Sequence, residues 1–368
     1  MKSILGLLLC LSLAFAMTPA LADKPQTPQE AMIGALPASA LEAGWLSYAD
    51  YALLFAHTPG LTAPADVAAF QALRDKGEEQ PLLRAMSAVM TGPAVIRMYL
   101  MMAGDILASS GIDLFQIERA IEAGQPPSQQ LWLQGDINQA LLRLALTRRG
   151  YLQAEGEPEQ WSWQGDFDSG PVVDFDRRDL GFIFGGDLGR SFPVMITDDL
   201  LLSSPDGDLF RALAAGQTTP LADDAPLMAL LAALTPKDQA LTQLLLMRPE
   251  AAGMEQQPYS ALAIAQVFEA GSQQVLIALA LPDEAAARQA KDSLSAQIAQ
   301  AQLRSSGQPL TALLDSQGLS LGEMQIIPGT QARRSLIIPF STTEDNTSAY
   351  RTFVNMVYNR DLDWLGVD

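Results

Sequence analysis

Between residues 241 and 281 the chain carries three apolar runs of strand length, and these constrain its fold more than any other feature. Leu241 to Met247, Ser260 to Phe268 and Gln274 to Leu281 follow one another, the last two split by Glu269-Ala270-Gly271 in the manner of a hairpin. Strands joined by so short a link pair antiparallel, and a sheet this apolar needs helices to cover it. Pro282-Asp283 opens an amphipathic helix in which Ala287, Ala290, Leu294, Ile298 and Ala301 keep a 3–4 spacing. Met324 to Ile327 and Ser335 to Phe340 add two strands around a Pro328-Gly329 turn, and Tyr350 to Tyr358 forms a final short helix.

The first half reads less regularly. After a polar lead from Asp23 to Glu30, the aromatic run holding Trp45, Leu46, Tyr48 and Tyr51 suits a strand. Thr62 and Pro64 open a helix carrying Val67, Phe70 and Leu73, and Pro81 to Leu107 reads as two helices broken at Gly92-Pro93. Asp113 with Gln116 resembles a capping box, so Leu114, Ile117 and Ile121 are expected on a helix ended by Gly124. Leu131-Trp132-Leu133 reads as a strand, Leu141 to Leu146 as a helix capped at Gly135-Asp136, and Tyr151 to Trp163 as a hairpin. Gly165 to Ser191 reads as a long ordered loop with one or two short strands. Strand character returns at Val194 to Ile196 and Leu200 to Leu202, followed by helices opened at Asp206-Gly207 and Asp223-Asp224.

Strands and helices do not alternate as a parallel sheet requires, so the fold class expected is α+β. A strand, an Asp turn and a helix occur in both halves, at Trp132 to Arg149 and at Leu279 to Leu303. The expected organisation is two antiparallel sheet-plus-helix, ferredoxin-like modules: residues 23–235, with a helical insertion over 62–124, and residues 236–368.

Residues 1–22 read as a cleavable secretory signal: a basic start at Lys2, an apolar run from Ile4 to Phe15, and Ala20 and Ala22 before Asp23. The run covers only about 18 Å at 1.5 Å per residue, short of a roughly 30 Å hydrocarbon core. The single cysteine, Cys10, lies inside it, preceded by Leu9 where a lipoprotein would need a small residue. Cleavage removes Lys2 and moves the formal charge from −19 to −20. The expectation is an exported protein, periplasmic or secreted, with no transmembrane segment in the mature chain and a surface that repels nucleic acid.

What is missing bounds the chemistry. With one histidine, His57, and no mature cysteine, imidazole or thiolate sites for zinc, haem or copper have too few ligands, so no cofactor is expected. No Gly-x-Ser-x-Gly or Ser-x-x-Lys motif occurs, and His57 beside Thr58-Pro59-Gly60 reads as a turn residue bonded to the backbone. Asp166, Asp168, Asp174, Asp176 and Asp179 crowd the central loop and offer oxygen ligands for Ca²⁺. Counting twelve positions from Asp166 puts Pro171 and Arg177 where a calcium loop needs Gly and Glu, so turn and cap roles are favoured. Gly185, Gly186, Asp187 and Arg190 form a flexible loop with a guanidinium, able to turn N–H groups toward an anion. Met86, Met90, Met98, Met101 and Met102 are spaced for core packing.

Gly111-Ile112-Asp113, Gly124-Gln125-Pro126-Pro127, Leu133-Gln134-Gly135-Asp136, Gly150-Tyr151, Phe184-Gly185-Gly186-Asp187-Leu188-Gly189-Arg190 and Leu221-Ala222-Asp223-Asp224, in that order, resemble an uncharacterised family of exported bacterial proteins. The resemblance implies export and a shared fold, and brings no activity, cofactor or catalytic residue. The function expected is therefore a non-catalytic cell-envelope protein binding an envelope partner or a small ligand. The alternative is a carboxylate-based, Ca²⁺-assisted hydrolase acting through the Asp166 to Asp179 loop.

Overall fold

The computed structural model describes residues 27–366, apart from 43, 59, 89–99, 125–128, 157, 168–172, 237–238, 255–256, 270–271, 330–331 and 343–347. The signal segment, the Gly92-Pro93 break, Gln125-Pro126-Pro127, Asp168, Met90, Met98 and the Ala270-Gly271 turn lie outside the described residues. The chain combines helices with one antiparallel sheet, in agreement with the α+β expectation. No described helix is long and apolar enough to cross a membrane.

The sheet is built outward from the region the sequence marks most clearly. Strands β8 (Gln239–Met247), β9 (Leu262–Glu269) and β10 (Ser272–Leu281) pair in succession, and β13 (Arg334–Thr342) adds along β10. The far edge of β13 is shared by β11 (Leu319–Leu321) and β12 (Gln325–Pro328). On its other side β8 pairs with β1 (Trp45–Asp50), with Trp45 opposite Met247. From β1 the sheet continues through β2 (Ile117–Ala123), β3 (Gln130–Gly135), β7 (Leu201–Ser203), β6 (Val194–Ile196), β5 (Glu159–Trp163) and β4 (Tyr151–Gln153), giving thirteen strands among the described residues. Hydrogen bonds between β1 and β8 thus cross the division expected at residue 235, and one sheet stands where two modules were expected.

Ile117–Ala123 is a strand, which corrects the helix expected there. A bulge between Ile117 and Arg119 breaks the alternation that would have marked a strand. Asp113 does cap, but it caps a single 3₁₀ turn through the Phe115 N–H at 3.0 Å and the start of another helix through the Val67 N–H at 3.0 Å. Three short helices also stand where no helix was expected. Thr27 and Glu30 form a reciprocal capping box that opens α1 (Pro28–Gly34). Asp50 accepts the Leu53 N–H at 2.8 Å and turns Tyr51 out of the strand into α3 (Tyr51–His57), after α2 (Ser39–Glu42).

Alternation along the strands sorts the core into three clusters. On one face Leu46, Tyr48, Leu244, Leu246, Ala263 and Leu276 pack under α1, α2, α8 (Gly207–Ala214) and α9 (Ala225–Leu234). The opposite face is divided. Its first half lies under α3, α4 (Val67–Lys76), α5 (Gln80–Ala88), α6 (Ala103–Ser110) and α7 (Gln139–Arg149). Its second half lies under α10 (Glu284–Gln300), α11 (Leu310–Ser316) and α12 (Ala349–Asn359). Helix α10 buries Ala287, Ala290, Leu294 and Ile298, and its small residues let it lie close to the strands. It begins where the Asp283 carboxylate accepts the Ala286 N–H at 2.8 Å.

Candidate functional site

The glycine loop is positioned by its own backbone. The Gly186, Leu188, Gly189 and Arg190 N–H groups donate to Phe182, Gly185, Gly186 and Gly185 carbonyls at 2.9, 3.2, 3.0 and 2.8 Å. These four donors are therefore engaged by carbonyls of residues 182–186. Gly189 has φ +67°, and a Cβ there would lie 1.8 Å from the Asp174 carbonyl oxygen, so glycine is required by close approach. Asp187 is exposed while its carbonyl accepts from Arg178 Nε at 2.6 Å. Arg190 is half-buried, 5.9 Å from the Phe192 ring centroid.

The rest of this region clasps the loop to the sheet. Arg149 lies 4.0 Å over the Phe182 ring and pairs with Asp179 at 3.1 Å, and Arg177 lies 3.9 Å over Trp163. Burial lowers the Arg149 pKa, only partly offset by Asp179. Asp174 accepts the Asp176 N–H at 3.1 Å, Asp179 accepts the Gly181 N–H at 2.9 Å, and the Asp166 N–H closes a turn on the Trp163 carbonyl at 3.1 Å. Where one or two short strands were expected, the described residues of the loop carry two 3₁₀ turns, Phe175–Arg177 and Gly186–Leu188. Among the described residues no three His, Cys, Asp or Glu side chains gather to hold a metal ion. His57 ends α3 with its ring stacked on Phe268 at 5.8 Å, so a ring contact takes the place of the expected backbone bond. Met86 is buried as expected, whereas Met101 is 49% exposed and lines a shallow surface hollow with Arg74, which corrects the core role read for it.

A buried ionic network joins the central strands. Asp50, 1% exposed, accepts from Arg119 Nε at 2.9 Å and from the Tyr48 hydroxyl at 3.1 Å, and Arg119 reaches Gln134 at 3.2 Å. Burial works against the Arg119 charge, yet Asp50, Tyr48 and Glu118 outweigh it and raise its pKa. Burial, then the Asp50 charge, push the Tyr48 hydroxyl well above its ordinary value. With its groups engaged by one another, this network holds β1, β2 and β3 in register.

The C-terminal half arranges similar residue types differently. Residues 303–308 connect α10 to α11 as a tight loop, closed by Leu303 N–H on the Gln308 carbonyl at 2.8 Å and Gly307 N–H on the Leu303 carbonyl at 2.7 Å. Asp361 pins this loop: one carboxylate oxygen accepts the Ser305 N–H at 2.7 Å, the other the Ser305 hydroxyl at 2.6 Å. Asp361 is 3% exposed and follows Arg360, whose left-handed φ of 56° ends α12. Between this loop, α11 and α12 opens a cleft of about 370 Å³. Leu303, Leu313 and Met356 give it an apolar floor, and Ser306, Gln308, Gln317, Arg351, Asn355 and Asn359 give it polar walls. Asp361 is the one carboxylate among the described residues that line it.

Sequence reasoning passed over this cleft, since no motif marks it. A signal was present nonetheless: Arg351, Asn355 and Asn359 recur every four residues, a polar stripe on the helix read from Tyr350 to Tyr358.

No family model and no curated protein matches the chain. Solved structures to which the chain is similar include crystal forms I and III of TP0453. Form I shares 8% identity with a TM-score of 0.35, covering 87% of this chain and 97% of that one. Form III shares 8% identity with a TM-score of 0.33, covering 89% and 99%.

Proposed function

We propose that the protein is an exported, non-catalytic cell-envelope protein that binds a small polar ligand in the cleft between α11, α12 and residues 303–308. One observation carries this reading: the loop that borders the cleft is pinned by a buried carboxylate with both oxygens engaged, and the walls present amide and hydroxyl groups with one guanidinium. Ligand sites are commonly built this way, with a small apolar floor and a few polar groups that fix orientation. A hydrolase working through carboxylates needs two of them facing one reacting bond, and Asp361 stands alone among the described lining residues. The alternative site, the Asp166 to Asp179 loop, has Asp174 and Asp179 engaged in capping and in the Arg149 pair.

The test is thermal unfolding of the chain from residue 23 onward against sugars, amino acids and small carboxylates. A ligand at 100 times its Kd adds about 2.7 kcal/mol of apparent stability. Asn355→Trp, which fills the cleft from an exposed helix position, is expected to erase the response. A response that survives this substitution places binding elsewhere and defeats the reading. Export is checked separately, by fractionating cells that make the chain with and without residues 1–22; retention of both forms in the cytoplasm would overturn it.

A further inference from the structure

Resting on the cleft as the binding site, we infer that its ligand is a small carboxylate-bearing molecule lying along α12, with Arg351 reading its charge. The cleft lining contains two side chains of ionisable type, Asp361 and Arg351, and they are in opposite situations. Asp361 is buried, with each oxygen accepting a hydrogen bond from Ser305. Arg351 is exposed on the wall and has no ion-pair partner among the described residues. Arg304, next to Ser305, and Arg360, next to Asp361, are likewise exposed and unpaired among the described residues. Within the lining Arg351 balances Asp361, so in a chain of formal charge −19 the cleft carries no net negative charge. A guanidinium with its fork free matches a carboxylate by two parallel hydrogen bonds.

The remaining geometry bounds the rest of the ligand. Arg351, Asn355 and Asn359 lie on one face of α12, and at 1.5 Å per residue the stripe runs for about 12 Å. Each Asn amide offers both donors and an acceptor, which suits hydroxyl or amide groups rather than a second charge. The lining holds no aromatic platform among its described residues, so contact by stacking plays no part. A sugar acid of two rings and a short acidic peptide share this chemistry: one carboxylate followed by hydrogen-bonding groups over about the same length.

The experiment titrates the chain from residue 23 onward with the single-carboxylate disaccharide galacturonosyl-galactose, with its methyl ester, and with the single-carboxylate dipeptide N-acetyl-alanyl-glutamate α-amide, by calorimetry and by shifts of the Asn355 and Asn359 side-chain amides. The expected result is binding of one of the two acids, which distinguishes the sources, with the ester or Arg351→Gln costing at least about tenfold in affinity. Arg351→Lys is expected to lose less, and added salt to weaken binding of the acid only. Circular dichroism and an unchanged melting temperature confirm that Arg351→Gln is folded. Equal affinity for acid and ester, unaffected by Arg351→Gln yet abolished by Asn355→Trp, overturns the carboxylate inference and leaves the cleft intact. A neutral compound that moves the two amides when neither acid does overturns it in the same way. If no member of the wider panel moves them, the cleft reading itself falls.

Discussion

The glycine loop around residue 187 and the cleft above Asp361 are made of like parts, a tight turn, an aspartate and arginines, and they come out opposite. In the loop, Arg149 and Arg177 cover aromatic rings, Asp179 pairs with Arg149, and successive N–H groups point to carbonyls of the same loop. In the cleft, the aspartate is engaged from below by Ser305, so the helix face above it keeps its amides and guanidinium toward solvent. The difference teaches that a glycine- and arginine-rich motif is a site only where the surrounding chain leaves its donors over.

The sharpest way to break this comparison is Gly189→Val. A side chain there meets the Asp174 carbonyl and demands a left-handed backbone, so a loss of about 3 kcal/mol or more is expected in denaturant unfolding. Below the new midpoint, ligand response at the cleft should be unchanged; its loss in the folded variant would show that the two regions are one site. Asp361→Ala comes next. It removes two hydrogen bonds to a buried carboxylate, with about 2 kcal/mol expected in the same measurement. Here the cleft response should vanish with the loop at 303–308 released, and a variant that still responds would mean the carboxylate does not shape the cleft.

The smallest effect is acid titration. Glu159, held by hydrogen bonds from Arg143 on α7 and Trp161, has its pKa lowered, the Arg143 bond being the main cause and burial opposing it. A folded pKa below the unfolded one contributes stability above the ordinary carboxylate range and loses it as pH falls through and below about 4.5. Glu159→Gln should therefore flatten part of the acid slope of the melting temperature, on the loop's side of the sheet. An unchanged slope would remove Glu159 from the acid response.

Legibility followed locality. Strands β8, β9 and β10 and helix α10 were readable because their periods and the Asp283 cap lie within a few residues of one another. β2 was misread because its bulge scrambles the alternation while Asp113 imitates a helix cap. The capping box at Thr27 and Glu30 was written in the polar lead, but α1 is a single short helix whose burial of Met32 and Ile33 depends on distant chain. The candidate site was least legible: its stripe on α12 is ordinary for an exposed helix face, and only the loop at 303–308 makes it a wall.

From residues alone came the inventory: one histidine, one cysteine inside the leader-like segment, a strongly acidic chain, and local elements with their caps. Those follow from composition and from interactions across three or four positions. Which donors face solvent was decided by tertiary structure, because the partners that engage them come from far away: Asp361 lies 56 positions from Ser305, and Asp179 lies 30 from Arg149. A polar group becomes available for a ligand when no such distant partner reaches it, and that is a property of the folded arrangement.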